Sequence, residues 1–142
     1  PNIPSQNIVN AWNSMILDFP EHRLEFIENL ALKNKYKLLL LSNTNDLHIE
    51  QVIRNMGHAR FIRFKSCFDK FYLSQNINLT KPANAIYEFV LNSNNLQADE
   101  CLFIDDLNEN TEAALKMGIN VWNLIPTDQD VTQLFDLKTD IF

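Results

Sequence analysis

Glycine is almost missing from this chain: Gly57 and Gly118 are its only two in 142 residues. A Walker loop or a G-x-G-x-x-G turn needs clustered glycines so that backbone can approach a phosphate, so neither can be built here. Long apolar runs are missing too. The longest, Leu38 to Leu41 with Tyr36 nearby, falls far short of the roughly 20 residues that cross a bilayer, and Pro1 to Asn13 lacks the basic start and apolar segment of a signal peptide. Cysteine is scarce: Cys67 and Cys101 form no framework, and Cys101, in an apolar stretch, reads as a small buried hydrophobe. Free thiols and no leader point to a cytoplasmic protein. His22, His48 and His58 lack the spacing of a zinc site, and no G-x-S-x-G elbow is present. Basic charge is also short, 12 Lys and Arg against 18 Asp and Glu, for a net charge of -6. That weighs against a nucleic-acid partner, which needs a clustered basic face. The one local cluster, Arg54, Arg60, Arg63 and Lys65, reads as a solvated helix face.

What is present describes a folded α/β chain. Its length is enough for one domain with a real core, and 46% hydrophobic residues exclude disorder. Helical spacing appears at Ile8, Val9, Trp12, Met15 and Ile16, with Ser5 as cap, giving a helix to about Leu17. Pro20 suits the first turn of a second helix, with Leu24, Ile27, Leu30 and Ala31 as its apolar face. Tyr36 to Leu41 is continuous and apolar, the mark of a strand buried on both faces. Asn45 or Asp46 caps a helix ended by Gly57. A further helix spans Ala59 to Cys67, with Phe61, Ile62 and Phe64 as its apolar members. Phe71 to Leu73 is a short strand, followed by a polar loop to Lys81-Pro82 and a helix from Ala83 to Asn92. Glu100 to Ile104 is a strand, Asn108 to Met117 a helix with Gly118 as C-cap, Ile119 to Leu124 a strand and Asp128 to Leu137 a last helix. Alternating helix and strand predicts a parallel sheet with helices on both faces, a three-layer Rossmann-like core.

Polar residues stand where two of these strands end, which is where open α/β sheets bind ligands. Asp105 and Asp106 follow Cys101 to Ile104. Two adjacent carboxylates there are costly without a compensating positive charge, and Mg²⁺ takes one or two carboxylates plus phosphate oxygens. Capping the helix that follows is the alternative use of the same acids. Ser42 follows Leu41, and a hydroxyl backed by backbone N–H groups holds phosphate oxygens, although it can equally cap a helix. Lys81, before the proline that is expected to start its helix, can meet a phosphate as a point charge or simply face solvent.

Taken together, Leu38 to Asn45 (L-L-L-L-S-N-T-N), Tyr72 to Tyr87 (Y-L-S-Q-N-I-N-L-T-K-P-A-N-A-I-Y) and Phe103 to Ala114 (F-I-D-D-L-N-E-N-T-E-A-A) resemble the haloacid dehalogenase-like (HAD) hydrolase superfamily. More narrowly they resemble its sugar-phosphate phosphatase branch, which includes alpha-D-glucose-1-phosphate phosphatase. The resemblance covers Ile8 to Leu124. It implies that Ser42 hydrogen-bonds the transferring phosphoryl group with Asn43 assisting, and that Lys81 stabilises the nucleophile and the phosphate. It further implies that Asp105 and Asp106 hold Mg²⁺ directly or through water, with Asn110 in support. The implied activity is a Mg²⁺-dependent phosphatase acting on small phosphorylated metabolites through an aspartyl-phosphate intermediate. Residues 1–17 resemble the remnant of a helical cap, and residues 18–142 the C-terminal part of the α/β core.

One departure is large. The family's first strand ends D-x-D and supplies the nucleophile. Nothing before Ser42 matches it, and Asp18 follows a helix and stands just before Phe19 and Pro20. The core therefore lacks its first strand and most of the cap, and the chain as given is expected to be inactive. The resemblance implies that the missing strand lies between Tyr36–Leu41 and Glu100–Ile104, a gap expected to be filled by an N-terminal segment, a second copy, or direct pairing of the two. A non-catalytic HAD-fold binding or scaffold protein is the alternative. A phosphoacceptor receiver domain shares the sheet, acids, hydroxyl and lysine, but its acid pair comes first in the chain, whereas here it comes last.

Overall fold

The structure, a computed structural model, describes residues 19–141. The helix expected over Ser5 to Leu17, and with it the cap assignment of residues 1–17, lies outside the described residues. The chain forms two compact units, one running to Ile77 and one starting at Asn78. Each is built on one pair of parallel strands, as the helix-strand alternation predicts.

The first unit contains α1 (Glu21–Leu32), β1 (Leu39–Ser42), α2 (Asp46–Met56), α3 (His58–Ser66), β2 (Lys70–Leu73) and a short α4 (Ser74–Ile77). Pro20 is the N-cap of α1 rather than its first residue: its ψ of 145° is extended, because the ring fixes only φ. Leu24 and Leu30 are buried on the expected face of α1. The basic cluster is not a free cationic surface. Arg63 grips Glu28 with two nitrogens, at 2.8 and 2.9 Å, and reaches Glu21 at 3.2 Å. Arg60 pairs with Glu21 and donates to the Phe19 carbonyl, while Arg54 meets Glu50 within α2. The pairing draws the Glu28 carboxyl below its usual range, chiefly through the Arg63 hydrogen bonds. Beside these ion pairs Phe19, Phe61, Phe64, Phe68 and Phe71 pack ring to ring. Phe61 and Phe64 share one face of α3 at a spacing of three, and Phe68 lies just past the Cys67 C-cap. Ile62, expected among them, falls about 100° away and is exposed.

β1 starts at Leu39 rather than Tyr36, where the Asp69 carboxylate accepts from the Leu38 N–H at 2.8 Å. It pairs with β2 from Leu39↔Lys70 to Ser42↔Leu73. Every residue of β1 is half-buried. The continuous apolar run predicted two covered faces, but a two-stranded ribbon does not shield its members as the middle of a wide sheet does. The stretch after Leu73, expected as polar loop, opens with α4.

The second unit contains α5 (Asn84–Asn94), a 3₁₀ turn (Ala98–Glu100), β3 (Leu102–Asp105), α6 (Asn108–Lys116), β4 (Asn120–Asn123), a second 3₁₀ turn (Val131–Gln133) and α7 (Leu134–Leu137). Ile86, Tyr87, Ala113, Ala114, Ile119, Trp122 and Leu134 form its core, with Tyr87 edge-on to Phe103 at 5.6 Å. The C-cap of α6 is Met117 rather than Gly118; Gly118 follows it with φ +84°, the left-handed backbone that stops a helix. The helix expected over Asp128 to Leu137 is interrupted. Asp130 adopts extended backbone, accepts from the Thr132 N–H and completes a capping box with Gln133, which starts a new turn inside the expected helix. Among the described residues no helix is long and apolar enough to cross a membrane.

Candidate functional site

Among the described residues a polar residue stands at or just past the carboxyl end of each strand: Ser42 on β1, Ser74 after β2, Asp105 on β3 and Asn123 on β4. In the second unit they build a charged centre. β3 carries Asp105 to its end, and the Lys81 Nζ donates to Asp105 Oδ2 at 2.6 Å, with the two side chains only 8% and 7% exposed. The ammonium also lies 5.4 Å from the centroid of the Phe103 ring, within cation–π range. Asp105 Oδ1 accepts from the Leu107 N–H and from Asn110 Nδ2, both at 2.9 Å. A carboxylate this buried is tolerable only when paired and hydrogen-bonded, and Asp105 has three donors of its own chain. Asn110 is buried, and its backbone carbonyl accepts from the Tyr87 hydroxyl at 2.8 Å. Burial first, and the charge of Asp105 second, push that hydroxyl up to about 12, so it remains a donor at neutral pH. Pro82 does not open the following helix: α5 starts at Asn84 with Ala83 as N-cap, and Lys81 sits in the turn before it.

Asp106 is different. It is exposed, and among the described residues nothing donates to its carboxylate. The helix-cap use of the acid pair holds only in part. Asp105 accepts from Leu107, but Leu107 is the N-cap of α6 and no side chain caps that helix. Among the described residues no three His, Cys, Asp or Glu side chains converge, so the pair offers part of a coordination shell rather than a full cage. Mg²⁺ uses one or two carboxylates, with water and phosphate completing its shell. An open Asp106 beside a fully engaged Asp105 fits that demand.

In the first unit Ser42 ends β1 half-buried and Asn43 is exposed just beyond it. The turn they begin is held by Ser74, whose Oγ accepts from the Thr44 N–H and donates to the Thr44 carbonyl, both at 3.0 Å. Ser74 is buried, and its hydroxyl extends the strand ladder past the last pair, Ser42↔Leu73. Asn45 then caps α2 by accepting from the His48 N–H at 3.0 Å. An open groove of about 550 Å³ in this unit is lined by Glu25, Glu28, Leu32 and Cys67, among others, and by neither Ser42 nor Asn43; its acids suit no phosphate. Both thiols are free, and burial pushes each up.

The structure thus brings Lys81, Asp105 and Asn110 together with Asp106 adjacent, and places Ser42 and Asn43 at the end of β1. Two residues the sequence reading passed over are Ser74 and Asn123. The side-chain amide of Asn123 donates to the backbone carbonyls of both Asp105 and Asp106, at 3.2 Å each. The signal for both was the one applied to Ser42 and Asp105, a polar residue closing an apolar strand.

Parallel strands with this acid pair and lysine are features of the HAD-like α/β fold. The haloacid dehalogenase-like hydrolase model matches residues 7–118, and the chain belongs to that family. It is similar to D-ribitol-5-phosphate phosphatase of Bacteroides thetaiotaomicron, at 28% identity over 112 residues, covering 79% of this chain and 53% of that protein. A HAD family enzyme of the same organism, solved in complex with magnesium and inorganic phosphate, matches with a TM-score of 0.79 at 32% identity, over 95% of this chain and 67% of that one. A predicted HAD-like family hydrolase from Porphyromonas gingivalis gives a TM-score of 0.69 at 26% identity, over 94% of this chain and 66% of that one. The chain spans about half the length of the curated relative it matches.

Proposed function

We propose that the protein containing this chain is a Mg²⁺-dependent phosphatase of small phosphorylated metabolites, sugar phosphates foremost. The observation that carries this reading is the buried Lys81–Asp105 pair at the end of β3, beside an Asp106 carboxylate with no donor among the described residues. The names of the relatives support it: one is a sugar-alcohol phosphate phosphatase and another was crystallised with magnesium and phosphate. Asp105 and Asp106 would hold the ion, directly or through water. When bound, the ion supplies positive charge to the phosphoryl oxygens. Lys81, fixed in place by Asp105, adds a second positive charge on the phosphoryl group, and Asn110 orients Asp105. The Ser42 hydroxyl donates to a phosphoryl oxygen and Asn43 assists. Catalysis is then positioning plus electrostatics.

The nucleophile in this reading is an aspartate of a D-x-D strand, which forms the aspartyl phosphate and lies in the part of the relatives' length outside this chain. Ser42, Lys81 and Asp106 alone bind but do not turn over. Residues 1–17 belong to a helical cap and residues 18–142 to the core. The partner of the open strand edges would be that N-terminal segment or a second copy, and the protein would be cytoplasmic, a reading that its two free thiols support. One other reading of the same residues is a binding protein that keeps the fold without the chemistry, since Lys81 and Asp106 can hold a phosphate and a cation without turnover.

The test is Asp106→Asn in the full-length protein. Hydrolysis of a generic phosphate ester should fall by roughly 10²-fold or more, as when a preorganised electrostatic partner is removed, and extra Mg²⁺ should recover part of it. Unchanged rate and unchanged Mg²⁺ dependence would refute the assignment. A full-length parent with no phosphatase activity but measurable phosphate binding would select the binding-protein reading.

A further inference from the structure

The turn that carries the acid pair is held from both sides. On one side the Asp105 carboxylate accepts from the Leu107 N–H. On the other the Asn123 amide reaches two successive carbonyl oxygens, those of Asp105 and Asp106, at 3.2 Å each. Asn123 ends β4 as the register partner of Asp105, and the next rung, Leu124 N–H to the Asp105 carbonyl, is 3.0 Å. Successive carbonyls along a strand point to opposite sides. Here the chain bends at Asp106 and both oxygens converge on one nitrogen. Two like dipoles brought together repel, and an amide NH₂ answers with one hydrogen for each. Serine has a single hydrogen to give, and aspartate would set an anion against two carbonyl oxygens.

We propose that Asn123 is a positioning residue for the acid pair: by clamping the Asp105 and Asp106 carbonyls it sets the backbone that presents the Asp106 carboxylate to a divalent cation. Among the described residues the Asp106 side chain has no restraint of its own, so its placement is inherited from that backbone. The proposal rests on the reading of Asp106 as a metal ligand.

The experiment measures Mn²⁺ binding to the full-length protein by electron paramagnetic resonance, with no substrate and no turnover. Asn123→Ala should weaken Mn²⁺ binding about tenfold, the scale of one or two neutral hydrogen bonds. Asn123→Ser, with one donor, should fall between, and gives a reading should the alanine variant not fold. Asn123→Asp is the decisive variant. Its added negative charge should tighten cation binding if charge alone matters, whereas loss of the clamp should weaken binding at least as much as alanine does. Parent-like affinity in the alanine and serine variants, or tighter binding in the aspartate variant, overturns the proposal. The control is Asp106→Asn. If it binds Mn²⁺ as the parent does, the metal reading itself falls; if it loses binding while the Asn123 variants keep it, only the role of Asn123 falls.

Discussion

Replacing Lys81 by methionine tests how tightly the charges at the centre of the second unit depend on each other. The substitution keeps most of the length of the unbranched side chain and removes the ammonium. Surface ion pairs contribute about 0–1 kcal/mol, but here both side chains are more than nine-tenths buried and the contact is 2.6 Å. Removing one partner of such a pair costs about 3–5 kcal/mol, because the other charge is stranded. Asp105 would keep the Leu107 N–H and Asn110 Nδ2 as donors, and hydrogen bonds to a charged group contribute about 1.5–3 kcal/mol each. The loss should therefore lie at the low end, about 3 kcal/mol. With a urea slope of about 1.5 kcal/mol/M, the unfolding midpoint should fall by about 2 M. The assay is urea unfolding of the full-length protein with chelator present, followed by far-UV circular dichroism and by tryptophan fluorescence, to which the buried Trp122 contributes. The double variant Lys81→Met/Asp105→Asn replaces the stranded charge by a neutral amide and should regain a substantial part of the loss. A single variant within about 0.5 kcal/mol of the parent, the range of surface substitutions, or a double variant less stable than the single one, would refute the account of a coupled buried pair.

Two further outcomes follow from other residues. Ser74→Ala should free the Thr44 amide and speed its hydrogen exchange about tenfold, with a stability cost of about 1–2 kcal/mol, while Ser74→Thr, which keeps the hydroxyl, should exchange more slowly than alanine; equal exchange in all three would remove Ser74 from the Ser42 turn. Tyr87 is raised from 10 to about 12, so its contribution is complete below pH 10 and is lost as pH rises toward 12. The parent should therefore lose stability more steeply than Tyr87→Phe across that window, and parallel curves would contradict the shift.

Much of the fold was legible because periodicity and caps are local. The Asn45 cap, the Gly118 stop and the apolar runs before Ser42 and Asp105 each fit within a few residues. The errors have physical causes of equal clarity. Ile62 was counted with its neighbours although the helix rotates it off their face, and Asp130 begins a cap inside an otherwise helical pattern. The interactions that organise the candidate site are not local at all. Lys81 meets Asp105 across 24 residues, and Ser74 meets Thr44 across 30. No sequence window contains both partners, so the lysine and the acids could be associated only through the rule that open sheets bind ligands at strand ends and through family resemblance. Asn123 and Ser74 were readable by the rule already applied to Ser42 and Asp105, had it been carried to β2 and β4.

The crossover lengths also bear on the order in which the chain assembles. In the β3–α6–β4 turn the paired positions are 18 residues apart, and one helix is the whole connection. In the first unit Leu38 and Asp69, just ahead of the paired strands, are separated by 31. Loop-closure entropy alone favours the shorter crossover by about 0.5 kcal/mol, and local contacts set the pace of folding. The segment from Cys101 to Leu124 is therefore the natural nucleus, and it contains Asp105, Asp106, Asn110 and Asn123. Folding φ-values should be higher for Ile104→Val and Ala114→Gly than for Leu40→Ala, and the reverse order would place the nucleus elsewhere. On this account the acids and their clamp form early, and Lys81, which lies outside that segment, arrives later as the charge that makes the burial of Asp105 tolerable.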